Sequence, residues 1–146
     1  MKKRISIKDL EPGAYEAMLV LEGYAAKTQV KHQLKELIKI RASQINKCAF
    51  CIDMHTEDAI KQGESERRIY LLSAWEESHL FTAEERAVLQ LTEEITKISE
   101  KGVTEETYHN VIHHYGDKVT AQIIMLIVTI NAWNRIAIAT KMIFKK

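Results

Sequence analysis

Apolar positions recur with a helical period along nearly the whole 146-residue chain. Between residues 34 and 45 they are spaced three or four apart: Leu34, Leu37, Ile38, Ala42 and Ile45. This spacing is typical of one face of an amphipathic α-helix, and it predicts a helix that ends near Asn46. A second helix is predicted to begin between Asn46 and Cys48, with Asn46 as its N-cap, and to end before Gly63. The two together predict an antiparallel helix hairpin.

Helix signals also divide the residues on either side of this hairpin. Residues 1–12 predict an extended arm, and the helix that follows it ends at or just beyond Gly23. Another helix is predicted to begin at Ser65. Further along, Thr82 and Glu85 have the spacing of a capping box, which predicts the start of the next helix.

The C-terminal third predicts two helices. Thr104 opens a short helix that Gly116 closes, and Asp117 caps a last helix that runs to about Phe144. This last helix is the most apolar segment, so we expect it to be buried on several sides, but polar residues interrupt it well short of a membrane span. No stretch alternates as a β-strand does. The sequence therefore predicts an all-α fold, a compact single domain over residues 1–146.

Composition excludes some functions. The formal net charge is +1 and no basic cluster is present, which argues against a nucleic-acid partner. The segment Met1–Arg4 resembles the start of a signal peptide, but Ile5–Asp9 supplies no apolar run to follow it. We therefore expect a cytoplasmic protein with no membrane partner. In that reducing compartment the two cysteines of the chain are more plausibly reactive than structural.

The candidate chemistry lies in the hairpin. Cys48 and Cys51 form a C-x-x-C motif at the start of the second helix, and His55 follows one helical turn later on the same face as Cys51. At about 1.5 Å of rise per residue, folding the hairpin brings Glu36 level with His55. The sequence therefore predicts a carboxylate, an imidazole and a dithiol at one place.

These residue types suit thiol redox chemistry. The thiolate is the reactive form of cysteine, and a position in the first turn of a helix is expected to lower the thiol pKa. His55 can take the proton of Cys51, and Glu36 can orient the imidazole. Cys48 can then condense with an oxidised Cys51 to close a disulfide. We therefore identify Cys51, Cys48, His55 and Glu36 as candidate catalytic residues.

Two alternatives use the same residues. Cys48, Cys51 and His55 are suitable zinc ligands, although a structural zinc site needs a fourth ligand that the sequence does not place. The chain is alternatively a thiol sensor without turnover, in which the disulfide acts as a switch. No cofactor is predicted by any of these hypotheses.

Other polar and aromatic residues are interpreted structurally. His109, His113 and His114 are expected on a solvated helix face rather than in a metal site. Trp75 and Trp133 are predicted core or interface anchors. For Arg41 the sequence indicates either a structural ion pair or added positive potential near the thiols. For Arg135 it leaves open a carboxylate partner or a solvent-facing position.

The hairpin sequence resembles a known family. Residues 41–55 read Arg-Ala-Ser-Gln-Ile-Asn-Lys-Cys-Ala-Phe-Cys-Ile-Asp-Met-His, and with Glu36 they match the pattern of the alkylhydroperoxidase D and carboxymuconolactone decarboxylase superfamily. The resemblance extends to residues 70–75 and 131–137. The decarboxylase branch lacks the paired cysteines, so the pair is similar to the redox branch. One departure is Phe50, which stands where the peroxidase prototype has an additional histidine.

The resemblance implies a thiol-dependent peroxidase. In it Cys51 would attack the peroxide, Cys48 would resolve the sulfenic acid to a disulfide, and Glu36 and His55 would move protons. A dithiol reductant, either a lipoyl domain or a thioredoxin-like protein, would reset the pair. The resemblance also implies a homo-oligomer, trimer-based or hexameric. From the apolar last helix alone, the sequence predicts only that the chain is not a monomer. Lactone chemistry like that of the decarboxylase branch is a weaker alternative.

Overall fold

The computed structural model describes residues 4–144, which form helices joined by turns and contain no β-strand. The predicted all-α fold is confirmed. The elements in chain order are α1 (Ile7–Leu10), α2 (Pro12–Ala26), α3 (His32–Asn46), α4 (Ala49–Lys61), α5 (Glu66–Leu71), a 3₁₀ helix (Leu72–Glu77), α6 (Ala83–Thr96), α7 (Ile98–Lys101) and α8 (Glu105–Thr140).

Helix α3 is the central element of the fold. It contacts α4, α6, α8 and the 3₁₀ helix. On one side Ile38 packs with Val88 of α6 and Ile123 of α8, and on the other Leu37 packs with residues of the 3₁₀ helix and α6. A helix that is covered from several directions has little surface left for solvent. Three polar side chains of α3, those of Lys35, Glu36 and Ser43, therefore lie inside the protein.

The α3–α4 hairpin forms as predicted, with the C-x-x-C motif at the start of its second helix. Lys47 ends α3 in the left-handed conformation, with φ of 58°, and the backbone N–H of Cys48 donates to the Ser43 carbonyl at 2.9 Å. Cys48 is the N-cap residue of α4, so the prediction that Asn46 is the N-cap is wrong. Asn46 is instead the last residue of α3, and its side chain donates to two asparagines of α8.

The N-terminal segment differs from the predicted extended arm. Residues Ile7–Leu10 form a short helix, because the Ser6 side chain accepts from the backbone N–H of Asp9 and caps it. Residues 1–3 of the segment lie outside the described residues. The predicted capping box is confirmed, since Thr82 and Glu85 each accept from the other's backbone N–H.

Helix α8 joins the two C-terminal helices predicted from sequence, and it ends at Thr140 rather than near Phe144. Gly116, with φ of 71° and ψ of 172°, breaks the helical geometry where the boundary was predicted. By length and apolar composition, α8 alone among residues 4–144 could cross a membrane. Its buried residues, however, pack against α3 and α6, as in a core helix of a helical bundle.

The break in α8 gives a testable prediction. A residue with a Cβ is strained at the backbone conformation of Gly116, although the added carbon would meet no atom within 4 Å. We expect Gly116→Ala to lower the free energy of unfolding by about 1–3 kcal/mol, measured by urea denaturation at fixed protein concentration.

Gly23 provides the matched control. It lies inside α2 without a positive φ, and a Cβ there also meets no atom within 4 Å. Gly23→Ala should raise the free energy of unfolding by about 0.5–1 kcal/mol, because alanine favours a helix. Equal effects of the two substitutions would contradict a strained conformation at position 116.

Candidate functional site

Glu36 and His55 meet across the hairpin as the helical rise predicts. Glu36 Oε2 lies 3.0 Å from His55 Nδ1, and both side chains are buried. The second carboxylate oxygen of Glu36 accepts from Lys39 Nζ at 3.1 Å. Burial alone would raise the pKa of Glu36, but the hydrogen bonds from His55 and Lys39 outweigh it and leave the pKa below its ordinary value. Glu36 is therefore ionised at neutral pH.

An ionised carboxylate fixes the tautomer of the imidazole. Because Glu36 can only accept, His55 donates from Nδ1, and in a neutral imidazole Nε2 is then the nitrogen that can accept a proton. His55 and Cys51 are four residues apart on α4 and line the same cavity. The arrangement therefore supplies a proton acceptor next to a thiol.

Two further residues extend this network to α2 and α8. Lys39 Nζ lies 3.4 Å from Glu22 on α2, and Glu22 also accepts from Trp133 Nε1 at 3.0 Å. Trp133, interpreted from sequence as an anchor, belongs to the site. Sequence reasoning missed Glu22 and Lys39. Lys39 follows Glu36 by three residues, a helical spacing that could have indicated this pair, whereas more than a hundred residues separate Glu22 from Trp133 and no local spacing connects them.

The two sulfurs are in contact. Cys48 Sγ lies 2.6 Å from Cys51 Sγ, and both cysteines are buried free thiols. Burial and the neighbouring Cys48 thiol raise the pKa of Cys51 to about 12, although hydrogen bonds from Asn134 and Ser43 act in the opposite direction. The expected lowering of the thiol pKa is therefore wrong for Cys51. Its proton must be removed by a base at the moment of reaction.

A cavity of about 330 Å³ opens beside the Cys51 thiol. Phe50 contributes apolar surface to its lining. The lining residues from α2, α3, α4 and α8 are Tyr15, Leu19, Glu22, Lys39, Phe50, Cys51, Met54, His55, Asp58, Trp133 and Ala137, with Met142 beyond α8. The cavity accommodates a small, largely apolar molecule in contact with Cys51.

The zinc alternative gains no support from this geometry. Within the described part of the chain, the ligand atoms close enough to share one ion belong to Glu36, His55 and Asp58, and lie within 4.8 Å of one another. Neither sulfur is among them, and His55 Nδ1 is already bonded to Glu36.

The other singled-out residues lie outside the site. His109 is exposed and pairs with Glu105 on its own helix. Arg41 forms the predicted structural ion pair, at 2.8 Å from Glu93. Arg135 takes the solvent-facing position, and its guanidinium donates to Asn131.

Comparison with known proteins identifies relatives over the whole chain. Residues 12–94 match the carboxymuconolactone decarboxylase family. The uncharacterised protein YdfG of Bacillus subtilis (strain 168) is 46% identical over 139 residues, which are 95% of each chain. A protein of unknown function from Agrobacterium tumefaciens, provisionally named an antioxidant defence protein AhpD, superposes with a TM-score of 0.96, 38% identity and 99% coverage of both chains. An uncharacterised peroxidase-related protein from Silicibacter sp. has the same fold, with a TM-score of 0.79, 21% identity, and coverage of 88% of this chain and 68% of that one.

The lowered pKa of Glu36 predicts how stability depends on pH. A carboxyl whose folded pKa lies below its unfolded value stabilises the fold above the unfolded value, and that contribution is lost as the pH falls through the folded pKa. Glu36→Gln should lower the free energy of unfolding by about 1–3 kcal/mol near neutral pH. It should also make the decline in stability shallower as the pH falls below 4.5, the ordinary pKa of a glutamate, measured by urea denaturation at a series of acidic pH values.

Glu57 serves as the control for this prediction. It forms an ion pair with Lys61 at 2.7 Å, but both side chains are 64% exposed. Glu57→Gln should leave stability and its pH dependence unchanged, because solvent screens such a pair. If the free energy of unfolding of Glu36→Gln falls with acid as steeply as that of the wild type, the pKa of Glu36 is not lowered in the folded protein.

Proposed function

The chain belongs to the carboxymuconolactone decarboxylase family, and we propose that it is a thiol-dependent peroxidase of the alkylhydroperoxidase type. The observation that carries this proposal is the contact between the two free sulfurs beside the buried His55–Glu36 pair. The similarity to the Agrobacterium protein supports a role in antioxidant defence. A protein of this class reduces a peroxide at the expense of a dithiol.

In the first step, the peroxide enters the cavity and meets Cys51. His55 Nε2 takes the thiol proton, and the sulfur attacks the terminal oxygen of the peroxide. The O–O bond breaks, a sulfenic acid forms on Cys51, and the leaving alkoxide takes the proton from His55 to depart as an alcohol. Sulfur is oxidised and the peroxide is reduced by two electrons.

In the second step, Cys48 resolves the sulfenic acid. Its sulfur attacks Cys51, a disulfide forms, and the hydroxyl group leaves as water. The contact between the sulfurs supports this step, since little movement is needed to bond them. An external dithiol, a lipoyl domain or a thioredoxin-like protein, then reduces the disulfide by exchange and is itself oxidised.

The proposed setting follows from this cycle. A dithiol that must be reduced after each turnover belongs in a reducing compartment, so we propose a cytoplasmic enzyme formed by a single domain. The thiol-sensor alternative uses the same oxidation but has no sustained turnover. The two differ only in whether peroxide consumption continues when a dithiol is supplied.

We also propose that the protein associates with copies of itself. Exposed apolar side chains from both ends of the described chain meet at one groove, where Ile5 and Ile143 are 62% and 75% exposed, and Met142 lies with them. Leu10 on nearby α1 is exposed as well. Contiguous exposed apolar surface of this kind marks interaction sites, and a second copy of this chain would cover it.

Substitution of each cysteine tests the peroxidase proposal. Cys51→Ser should abolish peroxide consumption, and without dithiothreitol Cys48→Ser should stop after one equivalent at the sulfenic acid, whereas the wild type stops there as a disulfide. His55→Ala, which keeps both thiols, should slow the first step by about 10²-fold or more. The measurement is peroxide consumption by reduced protein, with and without dithiothreitol.

The matched control is Ser99→Ala, an exposed substitution on α7 away from the site. It should leave consumption unchanged. Retention of full activity by Cys51→Ser would refute the assignment of the attacking thiol. A wild-type protein that consumes one equivalent and then stops in the presence of dithiothreitol would favour the sensor.

The assembly proposal predicts a change in mass. Ile143→Glu should shift the sedimentation coefficient of the wild-type protein towards that of a monomer, because a charge enters the covered surface. Ile98→Glu, also at an exposed isoleucine but on α7, should leave the assembly intact. A wild-type protein that sediments as a monomer at every concentration would contradict self-association.

A further inference from the structure

A ladder of side-chain amides runs through the protein behind the cysteines. Asn46, at the end of α3, donates from Nδ2 to Asn131 Oδ1 and to Asn134 Oδ1, both at 2.9 Å. Asn134 in turn donates from Nδ2 to Ser43 Oγ at 2.9 Å. Asn134 and Ser43 have no exposed surface, so these bonds have no solvent alternative.

The donor and acceptor roles in the ladder are fixed at Asn131, by its bonds to Arg135 and to the Ile127 carbonyl. Arg135 can only donate, and it bonds to Asn131 Oδ1 at 3.0 Å. A backbone carbonyl can only accept, and that of Ile127 receives Asn131 Nδ2 at 2.9 Å. Asn131 must therefore present its oxygen to Asn46.

The orientation then passes along the ladder. Because Asn131 presents an oxygen, Asn46 must present its amino group, and both hydrogens of that group are used on Asn131 and Asn134. Asn134 must accept from Asn46 and so turns its own amino group the other way, towards Ser43. One hydrogen of this group goes to Ser43, and the second is left for another acceptor.

The Cys51 sulfur is the candidate for that acceptor. Ile130 and Ala137 of α8 pack in one cluster with Cys51, and Asn134 lies between them on the same helix face. Asn134 and Ser43 are thus placed beside Cys51, Ser43 through its neighbour Ala42 in the same cluster, and both act to lower the pKa of the Cys51 thiol. Ser43 Oγ already accepts from Asn134, so its hydroxyl hydrogen is free to donate.

We propose that the Asn134 amide and the Ser43 hydroxyl form a donor pair that stabilises negative charge on the Cys51 sulfur during reaction. Asn46, Asn131 and Arg135 are positioning residues, since they act on the sulfur only through the orientation of Asn134. The inference rests on the proposed thiol chemistry. In this proposal the amide ladder, rather than the N-terminus of α4, favours the thiolate form of Cys51.

The donor pair offsets an unfavourable site. Burial and the Cys48 thiol both oppose ionisation of Cys51, and the two hydrogen bonds act against them. The other titratable groups that line the cavity are Tyr15, Glu22, Lys39, His55 and Asp58, with Glu36 behind His55. None of them is altered by substitutions in the ladder, so their effect on Cys51 cancels in a comparison of variants.

The test measures ionisation of Cys51 without any peroxide. In a Cys48→Ala chain, Cys51 is the single thiol, and the neighbour that raises its pKa is removed. Thiolate absorbance in the ultraviolet is recorded against pH. Asn134→Leu and Ser43→Ala should each raise the Cys51 pKa by about one unit, a tenfold smaller thiolate fraction below the pKa. Ser43→Thr, which keeps the hydroxyl, should titrate like its parent.

Variants elsewhere separate this role from a structural one. Asn46→Leu does not touch the sulfur but releases the Asn134 amide, so it should raise the Cys51 pKa by less than Asn134→Leu does. Gln122→Leu removes another buried amide of α8, one that bonds to the backbone of Gln29, and should leave the titration unchanged.

Two outcomes would overturn the donor pair. Titrations of folded Asn134→Leu and Ser43→Ala that superimpose on the parent would do so, as would a shift of equal size in Gln122→Leu. The same substitutions in the chain with both cysteines provide a second measurement, in which the first ionisation of the dithiol should rise in pH. A protein inert towards peroxide whose Cys51 pKa still shifts would reject the peroxidase and support the pair.

Discussion

The buried hydrogen bond between Glu36 and His55 is the constraint on which the site depends. A carboxylate taken out of water is costly unless charged or hydrogen-bonding partners surround it. Here His55 and Lys39 supply them, from α4 and from the next turn of α3. The bond holds the two helices of the hairpin in one register and fixes the proton on Nδ1 of the imidazole. Through Lys39 it also reaches Glu22, so the same charge helps to position the α2 wall of the cavity.

Much of this hairpin could be predicted from sequence, because the relevant distances are local. The helical rise alone places Glu36 opposite His55, and the residue type at each end of the turn is visible in the chain. The N-cap prediction is wrong because it considers local residues alone. Asn46 has a suitable side chain at a suitable position, but its amide finds partners on α8 that are 85 and 88 residues away. No spacing in the sequence indicates contacts between residues so far apart. The amide ladder and the hydrogen bond between Glu22 and Trp133 could therefore not be predicted from the sequence.

Two opposing effects act on the pKa of the Cys51 thiol: the helix N-terminus lowers it and burial raises it. A helix N-terminus favours a negative charge by about 0.3–1 kcal/mol when exposed, which is less than one pKa unit. Full burial can raise the pKa of an acidic group by several units. Cys51 is only 2% exposed, so burial dominates and its pKa is raised. The helix N-terminus does act to lower the pKa of the Cys51 thiol, but burial, which is not visible in the sequence, has the larger effect.

The high pKa of the Cys51 thiol makes the proposed cycle depend on a base, and His55 is the residue proposed for that role. Phe50 carries no proton, and among the described residues that line the cavity His55 has the one imidazole. Its Nε2 can hold a single proton, so the proton taken from Cys51 must leave before Cys48 can be deprotonated in turn. The alkoxide released from the peroxide is the group that can accept it, because an alkoxide is a far stronger base than imidazole. Departure of the alcohol therefore resets the base for the resolving step, and one relay can serve both halves of the oxidation without a second histidine.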